Sequence, residues 1–442
     1  MIAKKKPMIK ETKPQTVGTK TELPHAPKGM RDLWANNYFA YQGFTERAAE
    51  IALYYGFTPI ETPILEFEDL FLSAVGEATD IVQKEIYTLK TKGGDRLALR
   101  PEGTASVMRA YFENGFSAEP QPVMLYYHGP FFRHDNPQKG RYRQFYQFGL
   151  EIIGTNKSIA EATVIKMFSL MAAEVGLTSL VVKINSLGDK ECRQIYRREL
   201  INYYKKHLKE VCEDCRERFK TNPLRLLDCK DPKCAPIKTA APQAVSYLCP
   251  ACKSHFKEVL EYLEALGITY ELDNTLVRGL DYYSRTVFEL ATTDEAGAEV
   301  IIGGGGRYDY LAKAIGSRRE VPAAGGALGL DRLLALPQIE KLNPRIVKKP
   351  KVFFIQLSFE AKLKSLAVIE ILRKAKIPLA QSLPKDSLGA QLAIAEKMQV
   401  PYAIILGQKE AIEESVIVRN MLTRSQDTVK INKLGEYLKN LK

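Results

Sequence analysis

The sequence lacks the features of a membrane-spanning or secreted protein. No run of apolar residues approaches 18, and no apolar segment follows the N-terminal lysines, which argues against a membrane span and a secretory signal. The chain has only seven cysteines, an odd number clustered between Cys192 and Cys252, so a secreted disulfide framework is not expected. We therefore expect a cytoplasmic protein that uses its cysteines as thiols or metal ligands, and no membrane partner.

Two common motifs of nucleotide and metal chemistry are also missing. There is no GxxxxGK[ST] phosphate loop, because the glycine run 303–306 leads into Arg307 and Tyr308. The five histidines form no HExxH or other paired-ligand spacing. These absences argue against a P-loop NTPase and against a histidine-ligated catalytic metal.

What is present is an ordinary globular composition with an uneven charge. Of the 442 residues, 45% are hydrophobic and 26% are charged, and the length suggests two to four domains. The net charge of +12 is concentrated at the ends: residues 345–442 carry 18 basic and 9 acidic side chains, and residues 1–22 carry six lysines against two acids. A basic C-terminal part suits a polyanionic partner such as nucleic acid, although a basic soluble surface is the alternative.

Hydrophobic patterning divides the chain and predicts an α+β protein. Strands joined by hairpin-like loops indicate a mainly antiparallel sheet flanked by helices, interrupted by a helical, cysteine-bearing insertion. Alternating strands and helices near the C-terminus predict a separate α/β domain. The expected parts are a disordered basic tail (1–22), the sheet domain in two pieces (23–186 and 267–340), the insertion (187–266) and the C-terminal domain (350–442).

The patterns also predict individual elements. A helix is expected over 38–55, where apolar residues recur at helical spacing and Gly56 follows. Expected strands in the first domain are 57–61, 96–99, 123–129, 143–153, 181–185, 270–272, 286–290 and 300–303. In the C-terminal domain we expect strands at 352–357, 402–406 and 415–418, and helices at 360–375 and 391–398.

Several segments place arginines or acids among glycine and aromatic residues. Each has an ordinary alternative, because an arginine on a strand is often a surface ion pair and Gly-Leu-Asp-Arg can simply begin a helix. Because there are several such segments, we do not expect all of these arginines and acids simply to lie on solvated surfaces. The segments are 99–104 (LRPEGT), 129–133 (GPFFR), 138–151, 277–283 (VRGLDYY) and 325–333 (GGALGLDRL).

These segments resemble those of the histidyl-tRNA synthetase family, within the class II aminoacyl-tRNA synthetases. Residues 56–65 resemble the first motif of the class, which forms the dimer interface, and residues 132–151 and 326–334 resemble the second and third motifs. Residues 276–283 and 303–310 resemble a pair of segments typical of the histidine enzymes alone. The resemblance extends from about Pro27 to the C-terminal end.

The resemblance implies ATP-dependent attachment of L-histidine to tRNA(His) through a histidyl-adenylate, with release of AMP and diphosphate. It also implies a homodimer, ATP with Mg²⁺, and an anticodon-binding role for residues 350–442. Two alternatives remain: a catalytically silent paralogue, such as the regulatory subunit of ATP phosphoribosyltransferase, and a nucleic-acid-binding module without catalysis. Regulatory paralogues usually lack the C-terminal domain and the arginines, whereas this chain has both.

The expected chemistry accounts for the arginines. When the carboxylate of histidine attacks the α-phosphate, negative charge builds on the phosphoryl oxygens, and guanidinium groups and Mg²⁺ stabilise it. The resemblance assigns Arg133 to the α-phosphate and the substrate carboxylate, Arg332 to the γ-phosphate, and Arg278 to the transferring phosphoryl group. No general base is needed, since the nucleophile is already an anion.

A histidine pocket must hold an ammonium group and bind both imidazole nitrogens. A buried structural ion pair is the alternative explanation for its central acid, Glu151. The resemblance assigns Glu102 and Thr104 to the α-amino group, Gln147 to the carboxylate, and Glu151 and Tyr283, with Tyr282 beside them, to the imidazole.

The cysteines of the insertion leave the question of a metal open. Two CxxC pairs, separated by 33 residues, could supply four thiolates to a structural Zn²⁺ on Cys212, Cys215, Cys249 and Cys252, and His255 could replace one of them. The alternative is a set of reduced thiols, because the separation exceeds the usual zinc-ribbon spacing.

Overall fold

The computed structural model describes residues 23–76, 79–138, 140–340 and 342–441. The tail predicted over residues 1–22 lies outside the described residues. The chain divides into two units, Met1–Asn343 and Pro344–Lys442. Within the described part of the chain, no helix has both the length and the apolar character needed to span a bilayer.

Two β-sheets organise the first unit. An eight-stranded sheet has the order β1-β5-β6-β11-β10-β9-β7-β8, and a smaller sheet has the order β2-β4-β3. The strands are β1 (Thr58–Pro59), β2 (Leu65–Phe67), β3 (Tyr87–Lys90), β4 (Arg96–Leu99), β5 (Val123–Phe132), β6 (Gln144–Ile153), β7 (Val181–Ser186), β8 (Tyr270–Leu272), β9 (Ser284–Thr293), β10 (Glu299–Arg307) and β11 (Ala323–Gly329).

The pairing within the large sheet is mainly antiparallel, as predicted. Only the outer pairs β1–β5 and β7–β8 are parallel. The central pairs, from β5 through β6, β11, β10 and β9 to β7, are all antiparallel. The strand predicted over 57–61 is wrong in its length, because only Thr58 and Pro59 pair with β5 and Pro59 has no backbone N–H to donate.

Helices cover the sheet and form the segment between β7 and β8. In chain order they are α1 (Ala35–Tyr54), α2 (Glu68–Val75), α3 (Thr104–Glu113), α4 (Ile159–Glu174), α5 (Lys190–His207), α6 (Glu213–Thr221), α7 (Ala235–Thr239), α8 (Pro250–Ala265), α9 (Leu311–Ala314), α10 (Leu330–Leu334) and α11 (Pro337–Glu340). Short π or 3₁₀ turns occupy Ile81–Glu85, Phe116–Ala118, Pro223–Asp228, Pro232–Cys234 and Ala244–Tyr247. Helices α5 to α8 occupy the region where the sequence predicts a helical insertion.

Helix α1 shows how the local pattern produces an element. Phe44, Ala48 and Ala52 are buried at four-residue spacing, so they form one apolar stripe against the core. The helix ends before Gly56, whose φ of +84° suits a residue without a Cβ. The predicted helix is therefore confirmed, with its start three residues earlier than expected.

The two faces of the large sheet belong to different cores. On β6, Leu150 and Ile152 pack in the core that contains α1 and α4. Because side chains alternate along a strand, Glu151 between them points to the opposite face. That second face packs with α3 and with tyrosines such as Tyr127 and Tyr283, and the site described below is built on it.

The second unit is a small α/β fold. Its five-stranded sheet has the order β13-β12-β14-β15-β16, with β13, β12 and β14 parallel and the last two strands antiparallel. This mixed sheet and its helices agree with the predicted C-terminal α/β fold. Its elements are β12 (Val352–Gln356), α12 (Phe359–Lys374), β13 (Leu379–Gln381), α13 (Leu388–Lys397), β14 (Tyr402–Leu406), α14 (Gln408–Ile412), β15 (Ser415–Asn420), β16 (Gln426–Lys430), a 3₁₀ turn (Ile431–Lys433) and α15 (Leu434–Asn440).

Candidate active site

A cavity of about 1150 Å³ lies within the first unit. The backbone of β10 and β11 contributes to its wall through Gly303, Gly304 and Gly329. Small-molecule sites commonly measure about 300–1,000 Å³, so the cavity has room for more than one ligand. The predicted site residues that line it are Arg133, Gln147, Arg278 and Arg332.

Arg133 follows the last residue of β5. Its Nε donates a 2.8 Å hydrogen bond to the carbonyl oxygen of Pro101, and its guanidinium carbon lies 5.2 Å from the ring centroid of Phe145. Burial lowers the pKa of Arg133, and the charges of Glu85 and Glu102 oppose this effect. One backbone bond and one ring therefore orient a cation at the cavity.

Arg278 is paired with an acid that the sequence analysis did not single out. Its Nη1 lies 2.5 Å from Oε1 of Glu289, and its guanidinium carbon lies 5.9 Å from the ring centroid of Tyr283. Burial is the largest single influence and lowers the pKa of Arg278, but Glu289, Tyr283 and Tyr282 together outweigh it, so the pKa is raised overall. The guanidinium is therefore held charged and is oriented by Glu289 on β9.

Arg332 completes a group of like charges. Its Nη1 donates a 2.5 Å hydrogen bond to the carbonyl oxygen of Ile301. Burial lowers the pKa of Arg332, and the nearby cations Arg141, Arg278 and Arg133 lower it further. Several guanidinium groups close enough to affect one another produce a positive potential that suits a polyphosphate.

Glu102 is held at the N-terminus of α3. Its two carboxylate oxygens accept hydrogen bonds from the backbone N–H groups of Thr104 (2.8 Å) and Ala105 (2.9 Å), where the helix dipole favours a negative charge. The hydroxyl of Tyr282 donates to Oε2 at 3.1 Å. Burial is the largest influence and raises the pKa of Glu102. A cationic group of a ligand would offset that burial.

Glu151 is fully buried among hydroxyl groups. Its Oε1 accepts hydrogen bonds from Thr104 Oγ1 (2.8 Å) and Tyr127 Oη (3.2 Å), and its Oε2 accepts one from Tyr308 Oη. Burial raises the pKa of Glu151 to about 8. All three of these partners are neutral donors. Among the described residues Glu151 therefore forms hydrogen bonds and not the structural ion pair that was the alternative.

Tyrosine rings connect the two carboxylates with Arg278. The ring centroids of Tyr282 and Tyr283 are 4.7 Å apart, and Tyr308 lies 5.7 Å from Tyr282. Tyr282 bonds to Glu102, whereas Tyr283 lies beside Arg278. The structure thus brings most of the predicted histidine-binding residues together beside Arg278, whereas Gln147 lies in the wall of the cavity itself.

Glycines leave the space that these side chains occupy. A Cβ on Gly325 would lie 1.8 Å from Oε2 of Glu151, and a Cβ on Gly305 would lie 2.1 Å from the carbonyl oxygen of Gly325. Neither position accepts a side chain without a shift of its neighbours. The glycines of β10 and β11 therefore allow the two backbones to approach closely, and Gly325 on β11 leaves room for Glu151.

Tyr308, Tyr127 and Glu289 also belong to the site, although no motif in the sequence assigned them to it. Tyr127 pairs across the strands with Gly149, and a Cβ on Gly149 would overlap the Tyr127 ring. A tyrosine paired with a glycine on the neighbouring strand indicates a ring that lies over that strand, but the pairing is known only when the strand register is known. Tyr308 lies two residues after the glycine run, so it belonged to the noted segment 303–310 without an assigned role.

The predicted zinc ligand set is wrong in its composition. Cys212 and Cys215 do not group with Cys249 and Cys252, because each CxxC pair lies in a different cluster of potential metal ligands. His255 is in neither cluster, since its Nε2 lies 2.6 Å from Oε1 of Glu161. The two CxxC turns therefore do not face one another as a zinc ribbon would require.

Comparison with known proteins agrees with the motifs and the geometry. Residues 29–333 match the family model described as histidyl-tRNA synthetase, and residues 351–441 match an anticodon binding domain. The chain belongs to the histidyl-tRNA synthetase family. The resemblance drawn from the sequence is confirmed, and with it the enzyme class, an aminoacyl-tRNA synthetase of class II.

Relatives match over nearly their whole length. The chain is 42% identical over 417 residues to the histidine–tRNA ligase of Desulforamulus reducens, covering 94% of this chain and 99% of the relative. It is 43% identical to that of Desulforudis audaxviator, covering 93% and 98%. The structure of apo S. aureus histidyl-tRNA synthetase aligns with a TM-score of 0.77 at 31% identity, covering 95% of this chain and all of that one.

A further match bears on the fold alone. A structure described as an ATP phosphoribosyltransferase regulatory subunit/histidyl-tRNA synthetase, from Bacillus halodurans C, aligns with a TM-score of 0.61 at 23% identity. It covers 88% of this chain and 99% of that one. Such similarity shows a shared architecture and does not separate the enzyme from the regulatory alternative.

Proposed function

We propose that this protein attaches histidine to tRNA(His) through a histidyl-adenylate, and that the adenylate forms between the cavity and the buried carboxylates. The observation that carries the proposal is the position of Arg133, Arg278 and Arg332 at one cavity. Glu102 and Glu151 adjoin them through the tyrosine rings. The first group suits the phosphates of ATP, and the second suits an amino acid.

Arg133 and Arg278 are the proposed catalytic residues. In-line attack by the histidine carboxylate on the α-phosphate leaves increased negative charge on the phosphoryl oxygens. Preoriented guanidinium groups stabilise that charge without reorganising during the reaction. Arg332 is assigned to the γ-phosphate, and Mg²⁺ enters with ATP as part of the substrate. Diphosphate leaves, and the adenylate is then available to a ribose hydroxyl of tRNA.

The buried carboxylates are assigned to histidine itself. Glu102, with Thr104, receives the α-ammonium group, because a cation restores the interactions that burial removes from this acid. Glu151 accepts a hydrogen bond from an imidazole N–H, with Tyr282 and Tyr283 against the ring. Gln147, which lines the cavity, is assigned to the carboxylate together with Arg133.

The remaining proposals concern partners and domains. The excess of 18 basic over 9 acidic residues in 345–442 supports contact between the C-terminal unit and tRNA. We propose a homodimer formed through residues 56–65, a catalytic domain of residues 23–186 and 267–340 with an insertion of residues 187–266, and a cytoplasmic location. These proposals rest on the sequence motifs and the charge distribution.

The first experiment is histidine-dependent exchange of labelled pyrophosphate into ATP, without tRNA and with the other amino acids as controls. Exchange that requires histidine supports adenylation and its specificity together. Histidine binding without exchange contradicts the proposal and favours the regulatory alternative. Binding of tRNA without exchange and without histidine binding favours the nucleic-acid-binding module.

A further inference from the structure

The seven cysteines of the chain fall into two groups, with none left over. Each group has four members whose ligand atoms lie within 4.8 Å of one another, and a carboxylate completes the group that has three cysteines. All seven cysteines are free thiols. The groups are Cys212, Cys215, Cys229 and Cys234, called the first tetrad, and Asp189, Cys192, Cys249 and Cys252, called the second tetrad.

The first tetrad has the dimensions of a single tetrahedral ion. The Sγ atoms of Cys212 and Cys229 are 3.8 Å apart, and those of Cys215 and Cys234 are 3.9 Å apart. Four thiolates at about 2.3 Å from a central zinc are separated from one another by roughly 3.8 Å. A disulfide requires about 2.05 Å, so the sulfurs are too far apart to be bonded to one another.

The second tetrad has the same form with one oxygen ligand. Oδ2 of Asp189 lies 3.5 Å from Sγ of Cys249 and 3.2 Å from Sγ of Cys252. Around zinc, a thiolate at about 2.3 Å and a carboxylate oxygen at about 2.1 Å are separated by roughly 3.6 Å. Oδ1 of Asp189 is used differently, since it accepts bonds from backbone N–H groups of α5.

Helix N-termini supply the backbone donors that thiolates need. Cys212 is the N-cap of α6, and its N–H donates to Sγ of Cys234 at 3.2 Å. Cys249 is the N-cap of α8, and its N–H donates to Sγ of Cys192 at 3.1 Å. Backbone N–H groups and the positive end of a helix dipole stabilise thiolate over thiol, which is the form that binds a metal.

We propose that each chain binds two structural zinc ions, one in each tetrad. Soft thiolate ligands at tetrahedral spacing favour zinc among the common divalent ions. Both sites use four protein ligands and leave no open position, which suits a structural ion and not a catalytic one. This assignment replaces the single site predicted from the two CxxC pairs.

The first zinc fixes α6 and the turn that follows it against the active site. In this turn, Nδ2 of Asn222 donates to Oδ1 of Asp281 at 2.9 Å. Nη2 of Arg225 donates to Oδ2 of Asp80 at 2.8 Å. Asp281 directly precedes Tyr282 in the chain, so the ion holds one support of the tyrosine pair in place.

The second zinc fixes the start of α5, and through α5 it also supports the tyrosine pair. Nη1 of Arg193, four residues after Asp189, donates to the carbonyl oxygens of Asp281 (2.9 Å) and Tyr283 (3.1 Å). The two tetrads therefore support one segment, residues 281–283, from two directions. The proposed role of both ions is to position this segment.

Two variants and one control test the proposal by metal content. The full-length protein is prepared without metal-affinity chromatography, dialysed against a weak chelator, and its zinc and iron are measured by mass spectrometry. Cys229→Ser removes a ligand of the first tetrad, and Asp189→Asn removes one from the second while keeping an oxygen for the helix cap. Asp231→Asn is the matched control, because Asp231 also accepts a backbone N–H bond, from Lys233 at 2.9 Å, but belongs to neither tetrad.

We expect two zinc ions per chain in the wild type and in Asp231→Asn, and one in each of the other two variants. A wild-type content of one or none, or iron in place of zinc, overturns the proposal. Two ions retained in Asp189→Asn overturn the second site. If a variant does not fold, titration of the wild type with a mercurial thiol reagent still tests the proposal. Two zinc ions should be released per chain as its seven thiols react.

Discussion

The hydroxyl of Tyr308 donates a hydrogen bond to Glu151, and both side chains are buried. Glu151 lies on β6 and Tyr308 directly follows β10, so the bond crosses β11 between them. It passes where Gly325 leaves no side chain. The bond orients the carboxylate that we assign to the imidazole, although 157 positions separate the two residues.

Tyr308→Phe removes this bond and should weaken the use of histidine. Because the raised pKa of Glu151 keeps this acid protonated in the ligand-free protein near neutral pH, the bond joins two neutral groups and contributes about 0.5–1.5 kcal/mol. We therefore expect kcat/KM for histidine in pyrophosphate exchange to fall roughly 2–10-fold, mostly through KM. Tyr310→Phe is the control, since the Tyr310 hydroxyl accepts a bond from the Lys190 backbone, outside the histidine pocket. Equal effects of the two variants would contradict the assigned role.

The raised pKa of Glu151 predicts a pH-dependent stability of the ligand-free protein. Its pKa is about 8 in the folded state against an ordinary value of 4.5, so between these values the folded state binds the extra proton. Stability therefore falls as pH rises through this window, by up to about 1.4 kcal/mol per pH unit. Glu151→Gln has no titrating group at this position. The difference in melting temperature between this variant and the wild type should therefore change with pH between about pH 5 and pH 8. A difference that stays constant over this range would contradict the raised pKa of Glu151.

Arg278→Lys keeps a positive charge but loses the guanidinium fork. Because the fork is proposed to stabilise the transferring phosphoryl group, we expect adenylation to fall roughly 10²–10³-fold in kcat. Binding of tRNA(His), measured by filter retention, should change little. Arg318→Ala, at an exposed arginine of the same unit, should leave exchange unchanged. Exchange that survives in Arg278→Lys would show that the electrostatic assignment is mistaken.

Gly325→Ala tests the space beside Glu151. The added Cβ would lie 1.8 Å from Oε2 of Glu151 and 2.5 Å from the carbonyl oxygen of Leu150, which belongs to the backbone and cannot rotate away. Overpacking of this kind costs about 1–3 kcal/mol, so the melting temperature and histidine activation should both fall. Gly389→Ala provides the comparison, because nothing lies within 4 Å of its Cβ position on α13. That variant should melt at the same temperature or slightly higher.

Local patterns predicted the elements that depend on local rules. Helix α1 followed from its apolar spacing, and β4, β8 and β14 have the predicted bounds. Helix α4 was missed because most of its residues are apolar or buried, which leaves only a weak helical alternation in the sequence. Strand β11 was missed because Ala-Ala-Gly-Gly-Ala-Leu-Gly contains no β-branched or aromatic residue; its pairing partners make it a strand.

Only those residues of the site that belong to family motifs were predicted from the sequence. The resemblance supplied the residue list, and the structure brings those residues together. Spacing in the sequence does not reveal that Tyr282 bonds to Glu102 across 180 positions, or that Glu289 holds Arg278. The cysteines show another limit of motifs. Two CxxC turns can supply four thiolates to one ion, which suggested that the two pairs share a metal, whereas folding brings each pair to other partners.

The glycine-lined strands β10 and β11 limit how the specificity of this enzyme could be redesigned. Main chain, not side chain, forms the surface beneath Glu151, so truncating residues there cannot enlarge the pocket. On the side of Glu151, a larger amino acid would have to gain its room from Tyr127, Tyr308 or Thr104, each of which also bonds to Glu151. A change that widens the pocket on this side therefore also removes a hydrogen bond from the acid assigned to the imidazole, which couples substrate size to substrate polarity.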